Sequence, residues 1–245
     1  DVFMENTNKQ IDPSGHIKTY ALRTGRMTDA QKKAYHTLYS RYGITEADSG
    51  IVSSEKLFSN SKPLIIEIGF GMGQATSEIA QKRPDYNFLG IEVHTPGVGK
   101  LLILIEELKL DNLKVFHGDA LPFLANHIAD NSLAGFHIFF PDPWPKKRHH
   151  KRRIINKENL AFFTRKLKPE GYIYFITDWE EYAESAKAIF DAEPGLYNSS
   201  LHESGWAERQ DWRPVTKFEL RAKQEGRTIR ELFYRKRETK PSSET

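Results

Sequence analysis

The feature that most constrains the fold of this chain is a regular alternation of short apolar segments with amphipathic segments, which begins near residue 63. The apolar segments are continuous, as expected of strands that are buried on both faces of a parallel sheet. Five such strands are predicted, with the sequences PLIIEIG, NFLGIEVH, LKVFHGD, FHIFFPD and YIYFITDW. Helical patterns separate them, and ELFYRKR predicts a further strand near the end. The pattern therefore indicates a doubly wound α/β domain.

Composition and charge narrow the classes of function. The chain has no cysteine, which excludes disulfides, thiolate metal ligands and cysteine nucleophiles and fits a reducing cytosol. Its longest aliphatic run, LLILI, is far too short for a membrane span. Residues 146–153 contain six basic and no acidic residues, and residues 217–240 contain nine basic and four acidic residues. One such segment alone is usually a solvated face, but two on an otherwise acidic body indicate a polyanionic partner.

A glycine-rich turn follows the first predicted strand, with Gly69, Gly71 and Gly73 in the spacing G-x-G-x-G. Glycines at such a turn let the backbone approach a ligand closely at the start of the next helix. A dinucleotide-binding fingerprint would place its third glycine at position 74, which is Gln74 here. The turn also lacks the Lys-Ser/Thr pair of a phosphate-binding P-loop. The motif alone therefore leaves a ligand-binding loop and a purely structural turn equally open.

An acidic residue lies in or directly after each of the five predicted strands. In chain order these residues are Glu67, Glu92, Asp119, Asp142 and Asp178. Any one of them is most simply interpreted as a helix N-cap. Ligands of doubly wound sheets bind beyond the carboxyl ends of the strands, so we expect the five carboxylates to meet at that edge. They predict an acidic crevice for a ligand with positive charge or many hydrogen-bond donors, in which Glu92 is placed to bind a ribose.

Six segments, EIGFGMG, GIEVH, GDA, FPDPWPKKRHHKRR, ITDWEEYA and TKFE, together resemble the bacterial tRNA (guanine-N7)-methyltransferases, from about Arg23 to the end of the chain. EIGFGMG alone indicates only a class I methyltransferase that uses S-adenosyl-L-methionine (AdoMet). FPDPWPKKRH is far more specific, because it is unlike the catalytic tetrad of amino-group methyltransferases. The resemblance implies a Rossmann-like, mostly parallel seven-stranded sheet with a late antiparallel strand. It also implies AdoMet as methyl donor and the guanosine at position 46, in the variable loop of tRNA, as acceptor.

The resemblance also assigns roles to individual residues. The residues expected to contact AdoMet are Glu67, Gly69, Gly71, Gly73, Glu92, Asp119 and Asp142. Those expected to contact the tRNA are Lys146, Arg148, His149, His150, Lys151, Arg152, Arg153, Asp178, Thr216, Lys217, Phe218 and Glu219. The segment LRAKQEGRTIREL, which follows TKFE, belongs to a tail that varies within the family, so its RNA contacts stay open.

Methylation of guanine N7 makes modest chemical demands on a protein. N7 is an unprotonated acceptor on the base edge, so the site needs no general base, covalent nucleophile or metal. It needs alignment, and a carboxylate beside the base stabilises the positive charge that moves to the purine ring. Asp142 suits this role as the catalytic residue, because Pro141 and Pro143 restrict the backbone on both sides of it. Trp144 either stacks on a splayed-out base or packs locally.

Two other functions stay open: a class I methyltransferase that acts on a small molecule or protein, and an RNA-binding module without activity. The basic segments count against the first and the acidic crevice against the second. We expect residues 1–60 to form a partly flexible N-terminal extension that is available for RNA contact, and residues 61–245 to form the methyltransferase domain. The enzyme is expected in the cytoplasm, away from membranes, as a monomer or a homodimer.

Overall fold

The structure is a computed structural model that describes residues 17–21, 25–45 and 50–239. The strands in these residues are β1 (Gly43–Ile44), β2 (Leu64–Ile68), β3 (Asn87–Glu92), β4 (Leu113–His117), β5 (Leu133–Phe139), β6 (Leu167–Thr177), β7 (Leu196–Asn198) and β8 (Arg230–Lys236). The α-helices are α1 (Asp29–Tyr42), α2 (Ser54–Phe58), α3 (Gln74–Lys82), α4 (Thr95–Leu108), α5 (Ala120–His127), α6 (Lys157–Lys166), α7 (Glu180–Ala192) and α8 (Lys217–Gln224). A 3-10 helix spans Lys147–Arg152.

The strands form one sheet in the order β1-β4-β3-β2-β5-β6-β8-β7. The pairs from β1 to β6 in this order are parallel, whereas β8 is antiparallel to both β6 and β7. The doubly wound, mostly parallel sheet with a late antiparallel strand is therefore confirmed, and the two-residue β1 adds an eighth strand at one edge. The direction of winding reverses between β2 and β5, so the carboxyl ends of these strands are the expected ligand site.

The central strands are buried on both faces, as their continuous apolar sequences require. Ile65 and Ile66 are neighbours in β2 and are both fully buried, yet they belong to different hydrophobic clusters because successive side chains of a strand point to opposite faces. Leu124 of α5 and Phe163 of α6 belong to the first cluster. Leu101 of α4 belongs to the second, together with residues of α1 and α3. The helices therefore cover the sheet on both faces.

Part of the N-terminal region packs against the edge of the sheet. The segment DAQKKAYHTLYSRYG has a helical pattern of apolar residues, and it forms helix α1, which begins at a capping box. Its Tyr35 hydroxyl lies 2.8 Å from His117 Nδ1, and its Tyr39 hydroxyl accepts a hydrogen bond from His117 N at 3.0 Å. The rest of the expected extension, at residues 1–16, 22–24 and 46–49, lies outside the described residues. No helix within the described ranges has both the length and the apolar character needed to cross a membrane.

Helix α8 is attached to the sheet through a buried arginine that the sequence did not single out. The side chain of Arg213 is 2% exposed and donates to both carboxylate oxygens of Glu219, at 2.7 and 2.9 Å. Its Nη2 also lies 3.3 Å from Glu231 Oε1 at the start of β8. Glu219 in turn closes a capping box with Thr216 at the start of α8. Arg213 therefore fixes the first turn of α8 against β8.

We predict that Arg213→Met lowers the free energy of unfolding by about 3–5 kcal/mol, because it leaves buried carboxylates without their cation. Urea denaturation measures the effect. Arg221→Met is the matched control, since Arg221 also pairs with a glutamate, Glu225, but its side chain is 77% exposed. An exposed i,i+4 pair contributes about 0.3–0.5 kcal/mol. Equal losses in the two variants would show that the Arg213 cluster does not stabilise the fold.

Candidate active site

A cleft of about 240 Å³ lies at the carboxyl ends of β2, β3, β4 and β5, where the winding of the sheet reverses. Its walls include Gly69 and Gly71 from the glycine-rich turn. Three of the five acidic strand-end residues, Glu92, Asp119 and Asp142, also line it. The sequence therefore correctly predicted an acidic crevice at this edge, although Glu67 and Asp178 lie outside the cleft wall.

The glycine-rich turn has a backbone that other residues rarely adopt. Gly69, Gly71 and Gly73 have φ angles of 74°, 62° and 78°. A Cβ atom on Gly69 or Gly71 would have no protein atom within 4 Å, so both glycines face open space. Behind the turn the packing is tight, since a Cβ atom on Gly97 would lie 1.9 Å from the Gly71 carbonyl oxygen. The turn is therefore held from behind and open toward the cleft.

Glu92 connects the glycine-rich turn to the end of β3. Its Oε1 accepts a hydrogen bond from Gly71 N at 2.8 Å. Its Oε2 accepts hydrogen bonds from Val93 N at 2.8 Å and His94 N at 3.2 Å. Three backbone amides thus fix the carboxylate in the cleft wall and compensate for its charge. The position is the one expected for an acidic residue that binds a ribose diol.

Glu67 lies in β2 below the glycine-rich turn and is 4% exposed. Burial raises the pKa of its carboxyl to about 7; the hydrogen bond from the Thr76 hydroxyl, at 2.7 Å, opposes this shift, and the nearby charge of Glu92 adds to it. The geometry shows Glu67 as a support beneath the turn. Its expected contact with AdoMet stays a prediction.

Asp119 is both a helix N-cap and part of the cleft wall. It is the N-cap of α5, where its Oδ1 accepts a hydrogen bond from Leu121 N at 3.3 Å. It also lines the cleft. The helix cap therefore fixes the orientation of a carboxylate that faces the candidate ligand site.

Asp142 enters the cleft on a turn whose backbone is strained on both sides. Phe140 and Trp144 have φ angles of 50° and 44°, a region that residues other than glycine seldom occupy. Such conformations persist only where the surrounding structure holds them, and they concentrate at functional sites. Phe140 N donates to Ile176 O in β6 at 2.8 Å and so anchors the turn to the sheet.

Residues 19–21 form a wall of the cleft that the sequence did not predict. Ala21 N donates to Asp142 Oδ2 at 3.3 Å, and Trp144 Nε1 donates to the carbonyl oxygen of Thr19 at 3.1 Å. Trp144 is also in edge contact with the ring of His149, and the guanidinium of Arg152 lies 4.8 Å from its ring centroid. Of the two roles left open for Trp144, the structure shows local packing.

The basic segment after the turn forms the 3-10 helix Lys147–Arg152 and its flanking residues. Lys146, Lys147, Arg148 and Lys151 are exposed, whereas His149 and His150 are partly exposed. Four cations with long side chains thus lie on the surface of the segment that directly follows the Asp142 turn. This arrangement suits the phosphates of a nucleic-acid backbone.

Arg152 and Arg153 correct the expectation that the whole basic segment contacts RNA. Both are buried, at 8% and 3% exposure. Arg153 Nε donates to the Pro143 carbonyl oxygen at 2.8 Å, its two terminal nitrogens donate to the Glu181 carboxylate, and its guanidinium stacks on Tyr182. Arg153 therefore holds the Asp142 turn against α7, and its donors are already used within the protein. Arg152 packs against the Trp144 ring of the same turn.

The remaining expected tRNA contacts lie around α8. Asp178 directly follows β6, and its Oδ2 lies 2.9 Å from Arg227 Nε. Phe218 is 45% exposed, and its ring centroid lies 4.9 Å from that of Phe140, which lines the cleft. The two phenylalanines therefore connect α8 to the Asp142 side of the cleft.

The segment TKFE divides into exposed and buried residues. Lys217 and Phe218 are exposed, but Glu219 is 1% exposed and binds Arg213 and the Thr216 backbone amide. The expectation that Glu219 contacts tRNA is corrected accordingly: its carboxylate shapes the start of α8. Arg213, Arg227 and residues 19–21 were missed because each acts through a contact with a residue that is distant in the sequence.

Within the described part of the chain, no three histidine, aspartate or glutamate side chains are grouped in a way that could hold a metal ion. The cleft is lined by carboxylates, glycine backbone and apolar side chains.

A family model and individual sequence relatives of this chain both identify it as similar to methyltransferases. A family model described as a putative methyltransferase matches residues 61–232. A tRNA (guanine-N(7)-)-methyltransferase of Nitrosospira multiformis is 43% identical over 92% of this chain and 97% of the relative. One of Alcanivorax borkumensis is 44% identical over 90% of this chain and 92% of the relative.

Among solved structures, the crystal structure of the 16S rRNA methyltransferase KamB has a similar fold, with a TM-score of 0.54 at 13% identity over 88% of this chain and 97% of that chain. At this identity the similarity concerns the fold alone. The sequence relatives, by contrast, are similar over nearly their whole length. The chain therefore belongs to the tRNA (guanine-N7-)-methyltransferase family.

Proposed function

We propose that this protein transfers a methyl group from AdoMet to N7 of the guanosine at position 46, in the variable loop of tRNA, in the bacterial cytoplasm. The observation that carries the proposal is the juxtaposition of the glycine-rich turn, Asp142 and the exposed basic 3-10 helix at one edge of the sheet. The sequence relatives are tRNA (guanine-N(7)-)-methyltransferases, which supports the same reaction. Residues 61–245 would form the methyltransferase unit, with α1 and β1 added at its edge.

The cleft fits AdoMet in shape and in charge. Gly69 and Gly71 leave open space where a side chain would otherwise stand, so a ligand can lie directly on the turn. Glu92 is placed for a ribose diol, and Asp119 and Asp142 add negative charge that complements an ammonium and a sulfonium group. AdoMet, when bound, supplies an electrophilic methyl group on a positively charged sulfur.

The protein's part in the reaction is alignment and charge stabilisation. N7 of guanine carries a lone pair and no proton, so no side chain has to act as a base. Asp142 is held by the Ala21 amide and by strained residues on both sides of its turn, which limits its movement. A fixed carboxylate there stabilises the positive charge that the purine ring gains.

The exposed cations beside the cleft serve the tRNA backbone. Lys146, Arg148 and Lys151 lie on the surface next to the turn, so they neutralise phosphates without displacing any internal contact. Phe218 offers an exposed aromatic face near Phe140, suited to a base that has left its stack. The exposed cations would therefore bind the tRNA backbone beside the cleft while the target base enters it.

The direct test is to incubate unmodified tRNA with the protein and methyl-labelled AdoMet, digest the RNA to nucleosides and separate them. We expect label in 7-methylguanosine, and none when the target guanosine of the tRNA is replaced by adenosine. AdoMet binding without label in RNA would indicate a methyltransferase for a small molecule or protein. Binding of RNA without binding of AdoMet would indicate an RNA-binding module, and either result would reject the proposal.

For the catalytic carboxylate, we predict that Asp142→Asn lowers kcat at least about 100-fold, because it removes the negative charge that stabilises the purine cation while keeping the shape of the side chain. The dissociation constant for tRNA should stay within about threefold, since the phosphate contacts lie elsewhere. Single-turnover methylation and filter binding measure the two quantities. An unchanged single-turnover rate would remove Asp142 from the mechanism.

For the basic segment, we predict that Arg148→Gln with Lys151→Gln reduces the slope of log K against log salt for tRNA binding by about 1.4–1.8, or about 0.7–0.9 for each lost phosphate contact. The matched control is Lys82→Gln with Lys109→Gln, which removes two exposed cations from the opposite edge of the sheet and should leave the slope unchanged. Equal slopes in both double variants would show that the 3-10 helix does not bind phosphates.

A further inference from the structure

Arg227 lies outside the cleft wall, yet it is the ion-pair partner of Asp178. We propose that Arg227 is a positioning residue, which fixes the Asp178 carboxylate so that one of its oxygens accepts hydrogen bonds from the target guanine. The inference rests on the proposed function, and it assigns a role in the segment after TKFE, where the sequence left the RNA contacts open.

The way in which α8 ends places Arg227 beside Asp178. Gly226 has a φ angle of 77°, its amide donates to Lys223 O at 3.0 Å, and the amide of Arg227 donates to Ala222 O at 2.8 Å. These two bonds form a Schellman motif, which ends a helix and turns the chain back along it. Since Arg213 fixes the first turn of the same helix, α8 is held at both ends, and Arg227 has a defined approach to the end of β6.

The Asp178 carboxylate needs a partner such as Arg227 because it is largely buried. The side chain of Asp178 is only 18% exposed, and a carboxylate in such a place is costly without a cation or hydrogen-bond donors. Arg227 Nε lies 2.9 Å from its Oδ2. No donor among the described residues forms a hydrogen bond with this carboxylate, so its other oxygen, Oδ1, is left for a ligand. The pair thus combines a compensated charge with a vacant acceptor.

Arg227 is itself fixed by more than Asp178. Its Nη1 pairs with the Glu225 carboxylate, and Glu225 also accepts from Arg221 at 2.9 Å. Its guanidinium lies 5.8 Å from the ring centroid of Phe218, which in turn contacts Phe140 in the cleft wall. Two carboxylates thus compensate the charge of Arg227, which weakens its attraction for a third anion such as an RNA phosphate. The geometry therefore favours a positioning role over a phosphate contact.

Guanine supplies the donors that such a carboxylate needs. Its N1–H and 2-amino groups lie on the base edge away from N7, so a base with N7 toward the methyl group presents them to another wall of the site. A carboxylate that is anchored through one oxygen and accepts through the other fixes the rotation of the base, and alignment is what this reaction requires.

The test is a double-mutant cycle between Arg227 and Asp178, read as kcat and as KM for tRNA. Arg227→Gln should lower kcat about tenfold with KM for tRNA within about twofold, and Arg227→Lys should recover most of the loss. In the Asp178→Asn background, Arg227→Gln should change kcat by less than about twofold, because the residue that it positions has already lost its charge.

Arg221→Gln is the matched control, since it removes the same charge from α8 and pairs with the same Glu225. It should affect KM for tRNA at most and not kcat. Additive losses in the Asp178 cycle, or a full kcat in Arg227→Gln, would overturn the inference. So would a higher KM alone with a salt slope reduced by about 0.7–0.9, which would identify Arg227 as a phosphate ligand. If the wild-type protein forms no 7-methylguanosine, it is the proposed function that fails.

Discussion

Carboxylates at the edge of a buried parallel sheet must each find a donor or a cation, and the rest of this structure depends on how that requirement is met. The sheet carries five of them, because an acidic residue lies in or after each central strand. Backbone amides, a hydroxyl and a guanidinium meet this requirement for the five carboxylates. The donors are the Thr76 hydroxyl for Glu67, three backbone amides for Glu92, the Leu121 amide for Asp119 and the Ala21 amide for Asp142. Asp178 instead has a cation, the Arg227 guanidinium, as its ion-pair partner. The glycine-rich turn, two helix ends and the N-terminal segment therefore all converge on one edge.

The carboxylates also differ in position: Glu67 is buried below the glycine-rich turn, whereas Asp142 lines the cleft. Burial and the neighbouring charge of Glu92 raise the pKa of Glu67 to about 7, and the residue lies below the turn. Asp142 stands in the cleft, on a turn whose flanking residues have positive φ angles. Strain of this kind costs about 1–3 kcal/mol at each residue and persists only when other contacts over-determine it. The contacts of Arg153 with Pro143 and of Phe140 with β6 supply that constraint. The strained Asp142 turn therefore depends on the contact of the buried Arg153 with Pro143.

The parts of the fold that depend on local pattern were predictable from the sequence. Continuous apolar strands, the glycine-rich turn and helix α1 are encoded within short windows, and the acidic residues follow from strand ends. The contacts that complete the site were not predictable in this way. Arg213 pairs with Glu231, and Ala21 donates to Asp142, although the partners are well separated in the chain. A single sequence carries no signal for such pairs. The short strands β1 and β7 were missed for a related reason, since two or three residues are too few for a periodic pattern.

The basic segment shows why charge count alone overestimates a nucleic-acid surface. Residues 146–153 look uniform in the sequence, yet a 3-10 helix has about three residues per turn, so its successive side chains point in different directions. Lys147, Arg148 and Lys151 point to solvent, whereas Arg152 and Arg153 point inward. An arginine buries well when planar partners are present, and here Trp144, Tyr182 and the Glu181 carboxylate provide them. The six cations therefore differ in their surroundings: the outward ones are exposed to solvent beside the cleft, and the inward ones pack against the Asp142 turn.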